Sequence, residues 1–295
     1  MTGYLKDSYK ILKCIGKGSF GTVYLTRDIN DNEYAAKVEE KKESSRLIDE
    51  HDIYRKLYKR GMKSGTPKIV SLIQTPGFNI LIMELLGPSL DTMFTKYNKK
   101  FDISTVALLG LEIVKLLESL HKTGYIHRDI KPNNFLIGYK NSSDIYLTDF
   151  GLSKCYIKNK KHIPFNSHKN LIGTLRYAST NMHMGIEPSR RDDLESVGYM
   201  LVYFLKGSLP WQGLKHKSDT DHVEQIGNVK VATNLDKLCS DLPHQFKDYI
   251  KMCRSLKFEE EPNYDKLKNC FQEVIKKLDE PEYIWADDVI DIASA

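Results

Sequence analysis

An α+β chain in two parts, a small β-rich one followed by a larger helical one, is predicted by a change of texture along the sequence and by one long periodic run. Residues 9–86 break into short runs rich in β-branched and aromatic residues, separated by Gly, Asn, Asp or Pro. After "LLGPS" (85–89) these give way to segments with apolar residues at helical spacing. The longest, 103–123, repeats Val106, Leu109, Ile113, Leu116, Leu117 and Leu120 with a period near 3.6.

In the first part, these runs predict strands at 9–15, 21–27, 33–39, 69–75 and 78–85. One helix, 44–58, interrupts them, with Leu47, Ile53, Tyr54 and Leu57 at near-helical spacing. A hinge is expected at about 84–88, dividing a single domain over 1–295 into a part ending near 84 and a part beginning near 89. In the second part, helices are predicted at 103–123, 190–206, 222–231, 242–255 and 264–278. The apolar run 197–205 is about half of the ~20 residues a membrane span needs, so it reads as a buried helix. There is no internal repeat and no low-complexity tract.

Hydrophobic content of 41% and charge of 28% describe an ordinary soluble globule. The balance of 44 Lys and Arg against 39 Asp and Glu leaves +5, too mild to argue for nucleic acid. Five cysteines, at 14, 155, 239, 253 and 270, form no C-x-x-C pair, which argues against a disulfide framework or a zinc site. The opening "MTGYLKDSYK" lacks the apolar core of a leader peptide. The expectation is a monomer without a membrane span in a reducing compartment, the cytoplasm first and the nucleus second.

"IGKGSFGTVYL" (15–25) sets Gly16, Gly18 and Gly21 between two predicted strands. Glycines let a backbone fold tightly and aim N–H groups at phosphate oxygens, though the same pattern also makes a plain hairpin. The dinucleotide fingerprint opens a helix, whereas this stretch runs into the strand "TVYLTRD", as a flap over a nucleotide would. Gly16, Lys17, Gly18, Ser19 and Gly21 are thus candidate phosphate contacts. "YAAKVE" (34–39) then places Lys37 in an apolar strand. A strand lysine is ordinarily a solvated edge residue. Glu50, on the following helix, supplies a reason to bury it, since the pair would hold the ammonium against phosphates; Asp49, Glu39, Glu40 and Glu43 are rival partners.

In "HRDIKPNN" (127–134), the spacing of His127, Arg128, Asp129, Lys131 and Asn134 has a chance probability on the order of 1 in 10,000 at average residue usage. Phosphoryl transfer needs a carboxylate to orient a hydroxyl, a cation for developing charge and oxygen ligands for magnesium. Asp129, Lys131 and Asn134 match those needs in order. Twenty residues after Asp129, "IYLTDFG" (145–151) puts Asp149 at the end of an apolar strand, as a second magnesium ligand requires.

With these motifs the sequence resembles the protein kinases over about 9–283, and within them the casein kinase 1 family of serine/threonine kinases. The finer likeness rests on "MELLGPSL" (83–90), "DFGLSK" (149–154), "HIPF" (162–165), "GTLRYAS" (173–179), "GIEPSRRDDLES" (185–196), "GSLPWQGL" (207–214) and "FEEEPNY" (258–264). Ser179, Thr180 and Asn181 stand where most kinases have A-P-E, and Lys131 follows the serine/threonine pattern. The resemblance implies the bilobal kinase fold, ATP and Mg2+ as cofactors, and transfer of the γ-phosphate to Ser or Thr of acidic or phosphorylated protein substrates. It makes Lys37, Glu50, Asp129 and Lys131 catalytic, and Asn134 and Asp149 metal ligands. Met83 would stand behind the adenine, with backbone groups of Glu84 and Leu86 on its edge and Ile15, Val23, Ala35 and Leu136 around the ring. Taken singly, each apolar member is as well explained by core packing. Asp193 would anchor the catalytic loop from a buried helix.

On the substrate side the family often carries a basic cluster after "PWQGL"; here "KHKSDTDHVEQ" (215–225) brings in Asp219 and Asp221, and His222 stands about where a Lys is expected. That weakens one side of an anion site that includes Arg176 and Gly213. Residues 152–184 contain no Asp or Glu but hold Lys154, Lys158, Lys160, Lys161, Lys169 and Arg176, which with Arg128 predict a positive lip that draws acidic peptides. The expectation is a preference for acidic sequence with weak dependence on a priming phosphate. Ser153, Ser167 and Thr174 are the acceptors if a phosphate orders this segment, although the family resembled is generally active without one. A nucleotide-binding scaffold without chemistry would have lost some of Gly16, Gly18, Lys37, Glu50, Asp129, Asn134 or Asp149, and a small-molecule phosphotransferase would lack 173–179 and 207–214. A nucleic-acid module would interleave aromatics with a basic stripe, which this chain does not.

Overall fold

A computed structural model describes residues 4–5, 8–18, 21–41, 45–215 and 218–288. They fall into two units, one holding the described residues up to Ser89 with Phe135–Gly151 and Asp288, the other holding Leu90–Asn134 and Leu152–Asp287.

The first unit is built on a six-stranded antiparallel sheet. Its members in chain order are β1 (Tyr4–Leu5), β2 (Tyr9–Gly18), β3 (Gly21–Arg27), β4 (Glu33–Glu40), β5 (Ile69–Gln74) and β6 (Phe78–Glu84), with helix α1 (Arg46–Lys59) between β4 and β5. The spatial order is β1-β2-β3-β4-β6-β5. Cross-strand partners share a face, and successive residues alternate faces. Lys37 lies opposite Val23 and Leu81, and Ala35 opposite Leu25 and Met83, so these six side chains share one side. On the other side Ala36, Ile73, Ile80 and Ile82 form a separate core with Leu5, Tyr9, Tyr34 and Val38. Ser45 caps α1 by accepting from the Ile48 amide at 3.3 Å. The hairpin of β8 (Phe135–Ile137) and β9 (Ile145–Leu147) belongs to this unit because its backbone is tied to it: the Gly87 amide donates to Ile137 O at 2.9 Å, Ile137 to Pro88 O at 3.1 Å and Leu147 to Gly65 O at 2.8 Å.

The second unit is helical, with α2 (Leu90–Lys96), α3 (Ile103–Lys122), α4 (Thr180–His183), α5 (Arg190–Lys206), α6 (Asp219–Ala232), α7 (Leu235–Leu238), α8 (His244–Ser255) and α9 (Tyr264–Ile275). Two-residue strands β7 (Tyr125–Ile126), β10 (Lys154–Cys155), β11 (Ile157–Lys158) and β12 (Lys161–His162) punctuate its loops. Every residue of α5 from Asp192 to Leu205 is buried, so the apolar run read from the sequence is the axis of this core. Close packing demands glycine there: a Cβ on Gly198 would lie 2.5 Å from Ile250 Cγ1. Phe204 sits among Phe94 and Phe101, with ring centroids 5.2 and 5.0 Å away, and Phe101 meets Trp285 at 5.4 Å.

The α+β expectation holds, with predicted bounds that differ at the ends. β2 runs three residues past 15, through Gly18, because the glycine-rich stretch itself pairs with β3. α6 starts at Asp219, three residues before the predicted 222, because Ser218 caps it and accepts from the Asp221 amide at 3.2 Å. α2 and the two-residue strands were not predicted: α2 is only 7 residues long and the strands too short to show a period. No described helix is long and apolar enough to cross a membrane. Phe204→Ala, which empties the ring cluster, should lower stability by about 3–5 kcal/mol, read as a reduced urea midpoint with an unchanged slope.

Candidate functional site

In the first unit the buried stripe of α1 consists of Leu47, Glu50, Tyr54 and Leu57, so Glu50 points inward by helical spacing. Lys37 Nζ donates to Glu50 Oε2 at 2.6 Å and to Asp149 Oδ1 at 3.1 Å, with side-chain exposures of 12% and 3% for Lys37 and Glu50. Burial alone would lower the Lys37 pKa, but the two carboxylates outweigh it and hold the ammonium above the ordinary lysine value. Burial, with Asp149 adding to it, raises Glu50, and Lys37 opposes both. Of the rival partners, Glu39 is engaged elsewhere, accepting from the Ser45 hydroxyl at 2.5 Å and the Arg46 amide at 3.0 Å. Phe150 is fully buried and meets the Tyr54 ring edge-on at 5.0 Å, which fixes the segment carrying Asp149 beneath α1.

The same unit carries the other residues singled out for a nucleotide. Val23, Ala35 and Met83 are on the Lys37 side of the sheet, and Leu136 pairs across an isolated bridge with Ser89. Ile15 stands at a break in register between Cys14 and Gly16. Glu84 donates its amide to Lys68 O at 2.8 Å, and Leu86 is buried. Lys17 and Gly18 are exposed at the end of β2, while Ser19 and the rival Glu43 lie outside the described residues.

The glycines divide by cause. Gly21 takes φ +133°, and a Cβ there would overlap the carbonyl oxygen of Val38, so the sheet itself requires it. A Cβ on Gly16 would meet only Val23, at the ordinary distance of 3.8 Å, and on Gly18 nothing within 4 Å among the described residues. Among the described residues nothing in the packing calls for glycine at 16 and 18, whereas a phosphate approached closely by the backbone does. The residues present fit a nucleoside triphosphate.

In the second unit, Asp129 is 5% exposed and its carboxylate accepts from three side chains: Lys131 Nζ on Oδ2 at 2.6 Å, Thr174 Oγ1 on Oδ1 at 2.8 Å and Asn134 Nδ2 on Oδ2 at a longer 3.4 Å. Asn134, in a 3-10 turn (Pro132–Asn134), turns its amide nitrogen onto Asp129 O at 2.8 Å, so its amide oxygen is the atom a hard cation would take. Asp193 holds this loop. Its carboxylate accepts from the His127 amide at 2.7 Å, the Arg128 amide at 2.8 Å and His121 Nε2 at 3.0 Å. Because Asp193 can only accept, Nε2 carries the His121 proton, and Nδ1 accepts from the Tyr264 hydroxyl at 2.7 Å. Burial by itself would raise Asp193, but the hydrogen bonds it accepts, that of His121 first and that of the His127 amide with it, carry its pKa below the usual carboxylate value. Arg128 has φ +70° and donates Nε to Leu152 O at 2.6 Å. Gly173, at φ +80°, crosses behind it so closely that a Cβ would stand 2.5 Å from Arg128 O and 3.1 Å from Asp129 Oδ1.

Of the residues expected on the substrate side, Lys154 and Lys169 converge on Glu187, at 2.7 and 3.5 Å, and Glu187 also attracts Arg128. Glu187 is 3% exposed and lies just past the acid-free stretch, so sequence reading overlooked it. Three cations share one carboxylate. Arg176 is engaged with aromatics, 5.1 Å from the Tyr203 ring and 5.7 Å from that of Tyr177. Gly213 takes φ +72°, and His222 lies in the first turn of α6, its amide on Ser218 O at 2.9 Å.

A family model described as the protein kinase domain matches residues 9–271, nearly the whole chain and both units.

His121 is buried and its pKa is pushed below the ordinary 6.5, first by burial, with Asp193 opposing. A histidine kept neutral in the folded state and protonated in the unfolded state supports stability above 6.5, and that support is lost as pH falls through the depressed value. His121→Gln, which keeps one donor and one acceptor, should remove this part of the acid slope. Urea midpoints at pH 7 and pH 5 check it, and an unchanged difference between the two pH values would contradict the assignment.

Proposed function

The chain belongs to the protein kinase family, and on that premise we propose that it transfers the γ-phosphoryl group of magnesium ATP to serine or threonine hydroxyls of acidic protein substrates, in the manner of the casein kinase 1 family. The observation that carries this reading is the Asp129 carboxylate with an ammonium on one oxygen and a hydroxyl on the other, from Lys131 at 2.6 Å and Thr174 at 2.8 Å. A lysine two residues past the aspartate is the serine/threonine pattern.

In this reading Asp129 orients the attacking hydroxyl and takes its proton as the new O–P bond forms. Lys131 balances the negative charge carried by the phosphoryl group in flight. Bound magnesium ATP supplies the electrophilic phosphorus and the leaving group. Asp149 and Asn134 would hold the metal, Lys37 the phosphates with Glu50 as its brace, Gly16 to Gly21 the phosphate flap, and Ile15, Val23, Ala35, Met83, Glu84, Leu86 and Leu136 the adenine. The acidic preference is supported by Arg128, Lys154 and Lys169, whose charge Glu187 offsets only in part, and by Arg176. Because Glu187 already occupies two of the lysines, a priming phosphate gains less there than at an uncompensated cluster. The cysteine pattern supports an intracellular, reducing setting, the cytoplasm and the nucleus, and action as a monomer belongs to the same proposal.

Asp129→Asn should lower the rate of transfer to a serine peptide by about 10²- to 10⁴-fold while ATP affinity is kept. Loss of nucleotide binding in parallel would remove Asp129 from the chemistry, and a tyrosine peptide phosphorylated as well as the serine one would overturn the acceptor class. Paired acidic peptides with and without phosphoserine three residues upstream of the acceptor should differ in kcat/KM by less than about tenfold; a larger gain from the phosphate contradicts the weak-priming reading.

A further inference from the structure

Beneath residues 174–178, the segment that brings Thr174 to Asp129, lies a fully buried lysine that the motifs do not include. Lys230, on α6, has 0% exposure. Its Nζ donates to Leu175 O at 2.7 Å and Ala178 O at 2.6 Å, and lies 3.1 Å from His183 Nε2. His183 Nδ1 is 3.0 Å from Val223 O, which can only accept, so Nδ1 carries the ring proton and Nε2 is an acceptor facing Lys230. Three acceptors around one nitrogen require three N–H donors, which an ammonium has and a neutral amine lacks. Burial pulls the Lys230 pKa well below the ordinary lysine value, Glu195 opposing and Arg254 adding to it, while the Trp211 ring at 5.1 Å and the Tyr199 ring at 5.3 Å face the nitrogen. Trp211 in turn donates Nε1 to Arg176 O at 2.7 Å. The carbonyls of residues 175, 176 and 178 are thus gripped by two side chains.

Burying an ammonium is costly, and a methionine would fill the same volume without that cost. Here the charge is spent on the backbone of one loop, the loop whose first hydroxyl rests on Asp129. We propose that Lys230, assisted by Trp211, is a positioning residue for the protein substrate: it fixes the path of 174–178, and with it the register in which a peptide hydroxyl meets Asp129. The inference rests on the reading of this chain as a protein-phosphorylating enzyme and adds to it the residue that shapes its peptide platform.

Lys230→Met keeps the length and removes the three donors. The expected result is a fall of about 100-fold in kcat/KM for an acidic serine peptide, with KM for ATP within about twofold of wild type. In the same variant the amides of Tyr177 and Ala178, both bonded to Thr174 O at 3.0 Å, should exchange hydrogen about tenfold faster while α5 keeps its protection. Wild-type peptide kinetics, or unchanged protection at Tyr177 and Ala178, would overturn the proposal. So would a parallel loss for peptide and ATP with exchange spread through α5, which marks a general core residue. Should Lys230→Met not fold, Trp211→Phe, which removes one donor and keeps the ring packing, decides by the same readouts with an expected peptide effect of about tenfold. A wild-type enzyme that phosphorylates no protein acceptor sinks the functional reading alone, because hydrogen exchange needs no substrate and still decides whether Lys230 holds the loop.

Discussion

The amides of His127 and Arg128 both end on the carboxylate of Asp193, and the loop downstream inherits its position from those two bonds. Asp193 itself stays put because it belongs to α5, a helix buried on every side. A left-handed backbone at a residue with a side chain costs on the order of 1–3 kcal/mol, and Arg128 adopts one at φ +70°. The Asp193 and Leu152 hydrogen bonds hold it there. With that turn in place, Asp129 faces Lys131 and Thr174, and Asn134 closes back on the Asp129 carbonyl. The geometry around Asp129 is therefore a property of the core helix of this unit, transmitted through one side chain.

Charge compensation follows the same logic in each unit. A charge withdrawn from water must be met by partners of defined geometry. Lys37 is met by two carboxylates, Glu187 by two lysines, and Lys230 by two carbonyls and an imidazole nitrogen. These arrangements differ in what they leave over. The Lys37 group carries one negative charge in excess, whereas the group around Glu187 retains positive charge.

Much of this was legible in the sequence, and the exceptions have physical reasons. Long helices and regular strands announce themselves through periodicity, and of the residues gathered around Asp129 the spacing of 127–134 names Lys131 and Asn134, whereas Thr174, 45 residues on, was read only as a possible phosphate acceptor. Spacing alone left five carboxylates competing for Lys37. The distinguishing signal was present, since Glu50 shares the buried stripe of α1 with Leu47, Tyr54 and Leu57 while Asp49 does not, but helical phase decides the matter only once the helix bounds are known. Lys230 and Glu187 were not legible. Lysine and glutamate default to solvent, and their burial depends on contacts with distant parts of the chain, as in Lys154 with Glu187, 33 residues apart, or Lys230 with Leu175, 55 residues apart.

Gly173 carries no functional group, yet two backbones pass each other there with only hydrogen between them, its would-be Cβ 2.5 Å from Arg128 O. The Asp129 loop and the segment opening at Gly173 are thereby locked to a common separation that no side chain, however small, can share. Variation at this position is closed off by space rather than by chemistry. A single methyl added at Gly173 would push the Asp129 loop aside while leaving every other side chain of the group unchanged.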